Sequence, residues 1–244
     1  MILINPVAYL DSYPLQSELR ALGLQLSTTA KDKTSATSNG SQLGQPGLKK
    51  IAASLKSFTS YGATPAGLVK ALNSRMRTAD LPYTVSQAGG PVGDPAFFFK
   101  ARLVSWSPLQ GSIGDAVATD VQLEPSSSDI ALGQIVIADA ARTASFNSAV
   151  VNLGAVAAGQ KLYGVVHVVA ASGTTPTLDI TIKSATLVGF GTPTTRVTVP
   201  QFTGVGSFWI ELPGPVTDGF WRIDCVIGGT TPSFQFLAAL GIDS

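Results

Sequence analysis

Charge is scarce in this chain. Only 31 of its 244 residues are Lys, Arg, Asp or Glu, 13%, about half the share of an ordinary soluble domain. A surface of Ser, Thr, Gly, Ala and Val that avoids charge fits an exterior that meets other protein, because the centres of protein interfaces are charge-depleted. Long apolar runs are missing too. None approaches the roughly 18 residues that cross a bilayer as a helix, so no membrane partner is expected. Cys225 is the only cysteine, which excludes an intrachain disulfide and gives secretion no support. The opening Met1-Ile2-Leu3-Ile4-Asn5-Pro6 lacks the basic and apolar segments of a signal peptide, so synthesis in a reducing cytoplasm is expected.

Catalytic side chains are equally thin. Nucleophilic catalysis couples a Ser or Cys to a base, commonly His. The single histidine, His167, lies in a run of valines and reads as a buried, hydrogen-bonded structural residue. Cys225 falls on the apolar face of its segment and reads as a small core residue. Zinc needs several His or Cys ligands, more than the chain holds. Asp218 and Asp224, either side of Trp221, are the best acid pair for glycoside hydrolysis, but an Asp in a Thr-Asp-Gly turn is the plainer reading. No GxxxxGK[ST] phosphate loop occurs, and GGPVGDP at 89–95 precedes a strand rather than a helix. No enzyme activity, catalytic residue, cofactor or metal is expected.

What is present is punctuation. Twenty-five Gly and 15 Pro cut the sequence into short apolar segments, which favours sheet with many turns. The formal net charge of +1 predicts no strong attraction to nucleic acid. Residues 1–128 carry eleven basic and eight acidic side chains, and residues 129–244 five and seven.

Residues 15–27 are strand-like. Thr28–Pro46 is nearly free of large apolar side chains and is expected to lack structure of its own, serving either as a surface loop or as an arm that orders against a neighbouring subunit. Gly47–Tyr61 alternates, with Ile51, Ala53, Leu55 and Ser57 on one face. One helix follows, with Thr64 as N-cap, Pro65 at the first position, and Leu68, Leu72 and Met76 as its stripe. Residues 95–106 and 117–124 form a hairpin with Val117, Thr119, Val121 and Leu123 turned inward. Pro125-Ser126-Ser127-Ser128 marks a domain boundary, giving domains 1–128 and 129–244. In the second half, 161–171 is a nearly unbroken apolar strand, Leu178, Ile180 and Ile182 alternate inward, and so do Trp221, Ile223, Cys225 and Ile227. Gly173-Thr174-Thr175-Pro176 and Gly229-Thr230-Thr231-Pro232 are near copies. The spacing fits an antiparallel sandwich of jelly-roll or immunoglobulin type.

The order strand, polar loop, strand, helix, hairpin over residues 1–128 resembles the tail-tube (major tail) proteins of long-tailed bacteriophages. The likeness is carried by YLDSYPLQSELRALGLQLS at 9–27, PGLKKIAASLKSFTSYG at 46–62 and FKARLVSWSPLQGSIGDAVATDVQLEPS at 99–126, the last with Gly111 and Gly114-Asp115 at its turn. The segments 155–184 and 214–242 resemble β-sandwich modules appended to phage virion proteins. The resemblance implies a tail-tube-like β-sandwich or barrel with one flanking helix, followed by an outward-facing β-sandwich. It implies a non-enzymatic virion subunit, made in the host bacterial cytoplasm, that closes into rings and stacks into a DNA-conducting tube. Six copies per ring follow from the family, and three if both halves carry the fold. Its partners would be further copies of itself, other tail proteins, and phage DNA in transit without specific binding. The loop with Thr28, Lys31, Asp32, Lys33 and Pro46 would be the arm between rings. A capsid decoration or tail-terminator subunit is the alternative among structural proteins, and a glycan-binding module for host attachment, contacting sugar through Trp209, is the alternative of another class.

Overall fold

The computed structural model describes residues 6–15, 19–32, 44–58, 67–110, 112 and 118–243. In chain order the elements are β1 (Val7–Leu10), β2 (Tyr13–Pro14), β3 (Leu19–Asp32), β4 (Gly44–Phe58), α1 (Leu68–Arg75), β5 (Leu81–Ser86), β6 (Pro95–Gln110), β7 (Ala118–Arg142), β8 (Phe146–Asn147), β9 (Val151–Asn152), β10 (Lys161–Ala185), β11 (Thr194–Thr198), β12 (Gly206–Pro213) and β13 (Phe220–Asp243). The protein is mainly β, as the density of turn residues predicts, and its strands pair antiparallel. Among the described residues no helix is long and apolar enough to cross a membrane.

Two compact units emerge, and they are interleaved in sequence. Unit one comprises Met1–Ser17, Leu81–Lys100 and Asp129–Ser244; unit two comprises Glu18–Asp80 and Ala101–Ser128. Composition predicts two consecutive blocks instead, but Tyr9 and Phe98 share a core with Tyr163, Val165 and Leu237. That shared burial draws 1–17 and 81–100 into the unit of 129–244. The Pro125–Ser128 string lies inside β7 rather than in a linker.

The frame of unit one is a ribbon of β10 and β13, paired from Lys161 opposite Asp243 to Ala185 opposite Phe220. On the other side of β10 lie β12 and β11, and on the other side of β13 lie β7, β8 and β9. Residues 162–168 are buried on both faces: Leu162, Val166 and Val168 join Ile180, Trp221 and Phe236, while Tyr163 and Val165 join Tyr9, Phe98 and Leu237. A strand covered on both sides reads as a continuous apolar run, which explains 161–171. Beyond the middle of the ribbon one face is solvated and alternation returns. Leu178, Ile180, Ile182, Trp221, Ile223 and Cys225 are buried while Val226 is 57% exposed.

The two Gly-Thr-Thr-Pro copies meet across this ribbon, Thr174 opposite Thr230. Gly173 and Gly229 share a φ of 112°, and Thr175 and Thr231 share a φ of 47°. A Cβ on Gly173 would lie 2.7 Å from the Thr231 carbonyl oxygen, and one on Gly229 lies 2.7 Å from that of Thr175. Both positions therefore demand glycine, for positive φ and for close backbone approach.

Unit two is a sheet ordered β3–β4–β7–β6. Its buried face carries Ile51, Ala53 and Leu55 of β4, Val121 and Leu123 of β7, and Ala101 and Leu103 of β6. Trp106 Nε1 donates to Thr119 Oγ1 and Thr119 Oγ1 donates to the Ser107 carbonyl, each at 2.9 Å, tying β6 to β7. The turn at Gly111 and Gly114-Asp115 lies outside the described residues, as do Thr64 and Pro65. The helix starts at Leu68 with Gly67 as its N-cap and no side-chain cap. It buries Leu68, Ala71 and Leu72, whereas Met76, expected in the stripe, sits at the C-cap and is 37% exposed.

The polar segment 28–46 is more ordered at its ends than composition predicts. Ala30 pairs with Pro46, Lys31 with Gln45 and Asp32 with Gly44. Ladder pairing needs backbone groups rather than apolar side chains, and Thr suits a strand.

Candidate functional site

His167, Asp218 and Asp224 are each held by hydrogen bonds. His167 is fully buried. Its Nδ1–H donates to the Asp11 carbonyl oxygen at 2.6 Å, so Nε2 is left to accept from Thr84 Oγ1 at 2.8 Å. The ring stacks on Tyr9 at 5.4 Å, and the Tyr9 hydroxyl donates to Asp139 Oδ2 at 2.8 Å. Burial pulls the imidazole down to about 4, against smaller opposing effects from the Asp11 carbonyl and carboxylate. A neutral ring with both nitrogens engaged is a connector between β1, β5 and β10 rather than a base.

Asp218 and Asp224 sit in separate clusters. Asp218 accepts from Ser184 Oγ at 2.7 Å and from Arg196 Nη2 at 2.9 Å; these two partners hold its carboxyl below the usual range despite desolvation. Asp224 accepts from Arg222 Nε at 2.6 Å and pairs with Lys183 at 2.8 Å. Burial pushes its carboxyl up, and the bonds from Arg222 and Lys183 outweigh that and lower it. A glycosidase acid needs a raised pKa, and neither carboxyl has one. Burial pushes the Cys225 thiol up to about 12, the opposite of an activated nucleophile. Trp221 is a core residue whose Nε1 donates to the Gly154 carbonyl at 3.0 Å.

Trp209 has a different setting. It lies on β12, half-buried, where three strands each bring two residues spaced i, i+2 to one place: Phe98 and Lys100 from β6, Lys161 and Tyr163 from β10, Trp209 and Glu211 from β12. The indole meets Phe98 edge-on at 5.9 Å and Tyr163 at 5.7 Å, with Lys100 Nζ 6.0 Å from its centroid. Its Nε1–H donates to Glu211 Oε1 at 2.8 Å. Glu211 also pairs with Lys100 through Oε1 and Lys161 through Oε2, each at 3.3 Å. Partial burial pushes the Glu211 carboxyl up, and the bonds from Trp209, Lys100 and Lys161 together with the Lys100 charge bring it below its ordinary value. Sequence reasoning found Trp209 but missed its companions. The i, i+2 spacing was available for each pair; the register setting Tyr163 opposite Glu211 was not.

Of the residues read as an inter-ring arm, Thr28, Lys31 and Asp32 lie in β3 and Pro46 in β4; Lys33 lies outside the described residues. The same hairpin has an unusual outer strand. Among the described residues β3 pairs only with β4. Leu22, Leu24 and Leu26 stand opposite Leu55, Ala53 and Ile51, on the face that is buried in β4, yet Leu22 and Leu24 are only half-buried and Leu26 is 54% exposed. On the opposite face Lys56 stands opposite Asp120, and Arg102 pairs with Glu124 at 3.6 Å.

No family model and no curated protein matches the sequence. Among solved structures the chain is similar to the SPP1 tail tube, at 16% identity over 49% of this chain and 72% of that one, with a TM-score of 0.39. A chain of the native gene transfer agent virion matches at 15% identity over 52% of this chain and 95% of its own, with a TM-score of 0.40. The SPP1 Dit protein, described as a hub adsorption apparatus in phages infecting Gram-positive hosts, matches at 12% identity over 98% of this chain and 99% of its own, with a TM-score of 0.38.

Proposed function

We propose that this chain is a non-enzymatic structural subunit of a phage tail, that copies of it join edge to edge through the unit-two sheet into a ring, and that rings stack into a tube. The observation that carries this reading is β3. A fourteen-residue outer strand with a row of leucines on the core side, left partly uncovered, is a liability in a lone subunit. Pairing it with the sheet of a second copy satisfies its backbone and covers Leu22, Leu24 and Leu26 together. The candidate acceptor is β6: among the described residues its one other neighbour on the path, β5, is six residues long against sixteen. Closure of such a sheet around an axis removes free edges altogether. The resemblance of 9–27, 46–62 and 99–126 to tail-tube proteins supports the same reading.

The pairing of Lys56 with Asp120 and of Arg102 with Glu124 suits passage of DNA without capture, since each uncompensated Lys or Arg that met a phosphate would add salt-dependent affinity. The hairpin end around Lys31 and Asp32 is the proposed contact between rings. Light scattering and negative-stain microscopy of the purified protein test the proposal. Rings or tubes are expected for the natural chain, and Leu26→Lys should yield small particles with an unchanged melting profile. Natural protein that stays monomeric at high concentration overturns it.

A further inference from the structure

Trp209 and its neighbours have no part in ring formation as proposed above, and their arrangement stands independently of that reading. We propose that this patch of unit one is a binding site for an uncharged saccharide, the sugar ring lying on the Trp209 indole and a pair of adjacent hydroxyls engaging Lys100 and Glu211.

Three observations carry it. The first is a platform held in place before any ligand arrives. Phe98 and Tyr163 press on the indole, and the Nε1–H bond to Glu211 fixes its rotation. Trp209 is only half-buried, with Lys100 Nζ over its ring at 6.0 Å, and a rigid aromatic loses little entropy on binding. Pyranose rings present C–H groups on their faces and hydroxyls at their edge, which matches a flat apolar ring bordered by polar groups.

The second observation is the polar border itself. An ammonium and a carboxylate 3.3 Å apart, Lys100 and Glu211, place a donor and an acceptor side by side, both partly exposed at 25% and 31%. Adjacent sugar hydroxyls each donate and accept, so one can take a bond from Lys100 while the next gives one to Glu211. Glu211 stays ionised, because Trp209, Lys100 and Lys161 together hold its carboxyl low, and an ionised acceptor makes the stronger bond.

The third is the charge balance, which selects the class of sugar. Lys100 and Lys161 face Glu211, and Asp243 stands opposite Lys161 in the β10–β13 register. Two cations against two carboxylates leave no surplus to attract a uronic acid or a phosphate.

The test is a titration of the purified full chain with chitotetraose and maltotetraose, with tetragalacturonate as the charged comparison, followed by saturation-transfer NMR. Saturable binding of a neutral tetrasaccharide at millimolar concentration is expected, with transfer strongest to the ring C–H protons. Trp209→Ala should abolish it. Glu211→Gln leaves the indole in place and should weaken binding about tenfold through loss of a charge-assisted bond. Circular-dichroism melts of both variants establish that they fold. Absence of saturable binding to either neutral sugar overturns the proposal. So does binding that survives Trp209→Ala in a folded protein, or a preference for tetragalacturonate.

Discussion

His167 makes the stability of unit one depend on pH between about 4 and 6.5. It is the only histidine of the chain, fully buried, with its pKa pulled down from 6.5 to about 4. The groups around it are Asp11 and Ser207 from the start of the fold and β12, Thr84 from β5, and Tyr9 with its partner Asp139 from β1 and β7. Between the two pKa values the unfolded chain binds a proton that the folded chain refuses, so stability falls as the solution is acidified. The contribution is complete above pH 6.5, is reduced by about 1 kcal/mol at pH 5.5, and is exhausted near pH 4 after a loss of roughly 3 kcal/mol. Asp218, Asp224 and Glu211, whose carboxyls are held low, act in the same direction but in a lower window, mainly below about pH 4. Urea unfolding at intervals from pH 7.5 to 4.5 therefore isolates the imidazole. Replacing Trp106 with Phe leaves Trp209 and Trp221 as reporters of unit one. Unfolding free energy should fall by about 2 to 3 kcal/mol across that range, and His167→Gln, whatever its own destabilisation, should flatten the slope. A flat profile in the natural chain, or the same slope in the glutamine variant, refutes the reasoning.

Gly173→Ala and Gly229→Ala should each destabilise by about 1 kcal/mol or more, and by similar amounts, because each meets the other copy's carbonyl at 2.7 Å and sits at positive φ; chemical denaturation of the two variants side by side checks this. The Cys225 thiol should resist a disulfide reagent at pH 8 in the folded protein and react in full after denaturation, since it is buried and its pKa is raised to about 12. Gel shift at low salt should detect weak, sequence-independent DNA binding or none, given Lys56 opposite Asp120 and Arg102 paired with Glu124; nanomolar affinity at physiological salt contradicts the role proposed for that face.

Strand content and facing were legible in the sequence wherever one side of a strand is wet. Leu178, Ile180 and Ile182 alternate because solvent enforces the alternation, and so do Thr119, Val121 and Leu123. Two things were not legible. Long-range register leaves no local trace: nothing near Tyr9 or Phe98 indicates that they share a core with Leu237, so the interleaving of the units is invisible in composition. Proline and serine at 125–128 look like a linker, yet a strand tolerates them where pairing partners change, β4 before and β13 after. The candidate site divides the same way. Trp209 is conspicuous by residue type, but Lys100, Lys161 and Glu211 become its neighbours only through the pairing of β10 with β12 and the core shared by Phe98 and Tyr163.

The position of β13 has a consequence for how the protein is made. It supplies Phe236, Ala238 and Leu240 to one core and Leu237 and Ala239 to the other, and its partners β7, β8, β9 and β10 all precede it. On the ribosome neither core can close before β13 emerges, and Tyr9 waits more than two hundred residues for Leu237. Unit two, by contrast, is complete once residue 128 has been synthesised. The nascent chain thus carries a finished unit two beside the long, valine-rich β10, whose β13 edge is still open even once β11 and β12 have paired with its other side, with little charge to keep copies apart. Contacts so distant in sequence form slowly, and an open strand of that length is most prone to the wrong partner during the wait.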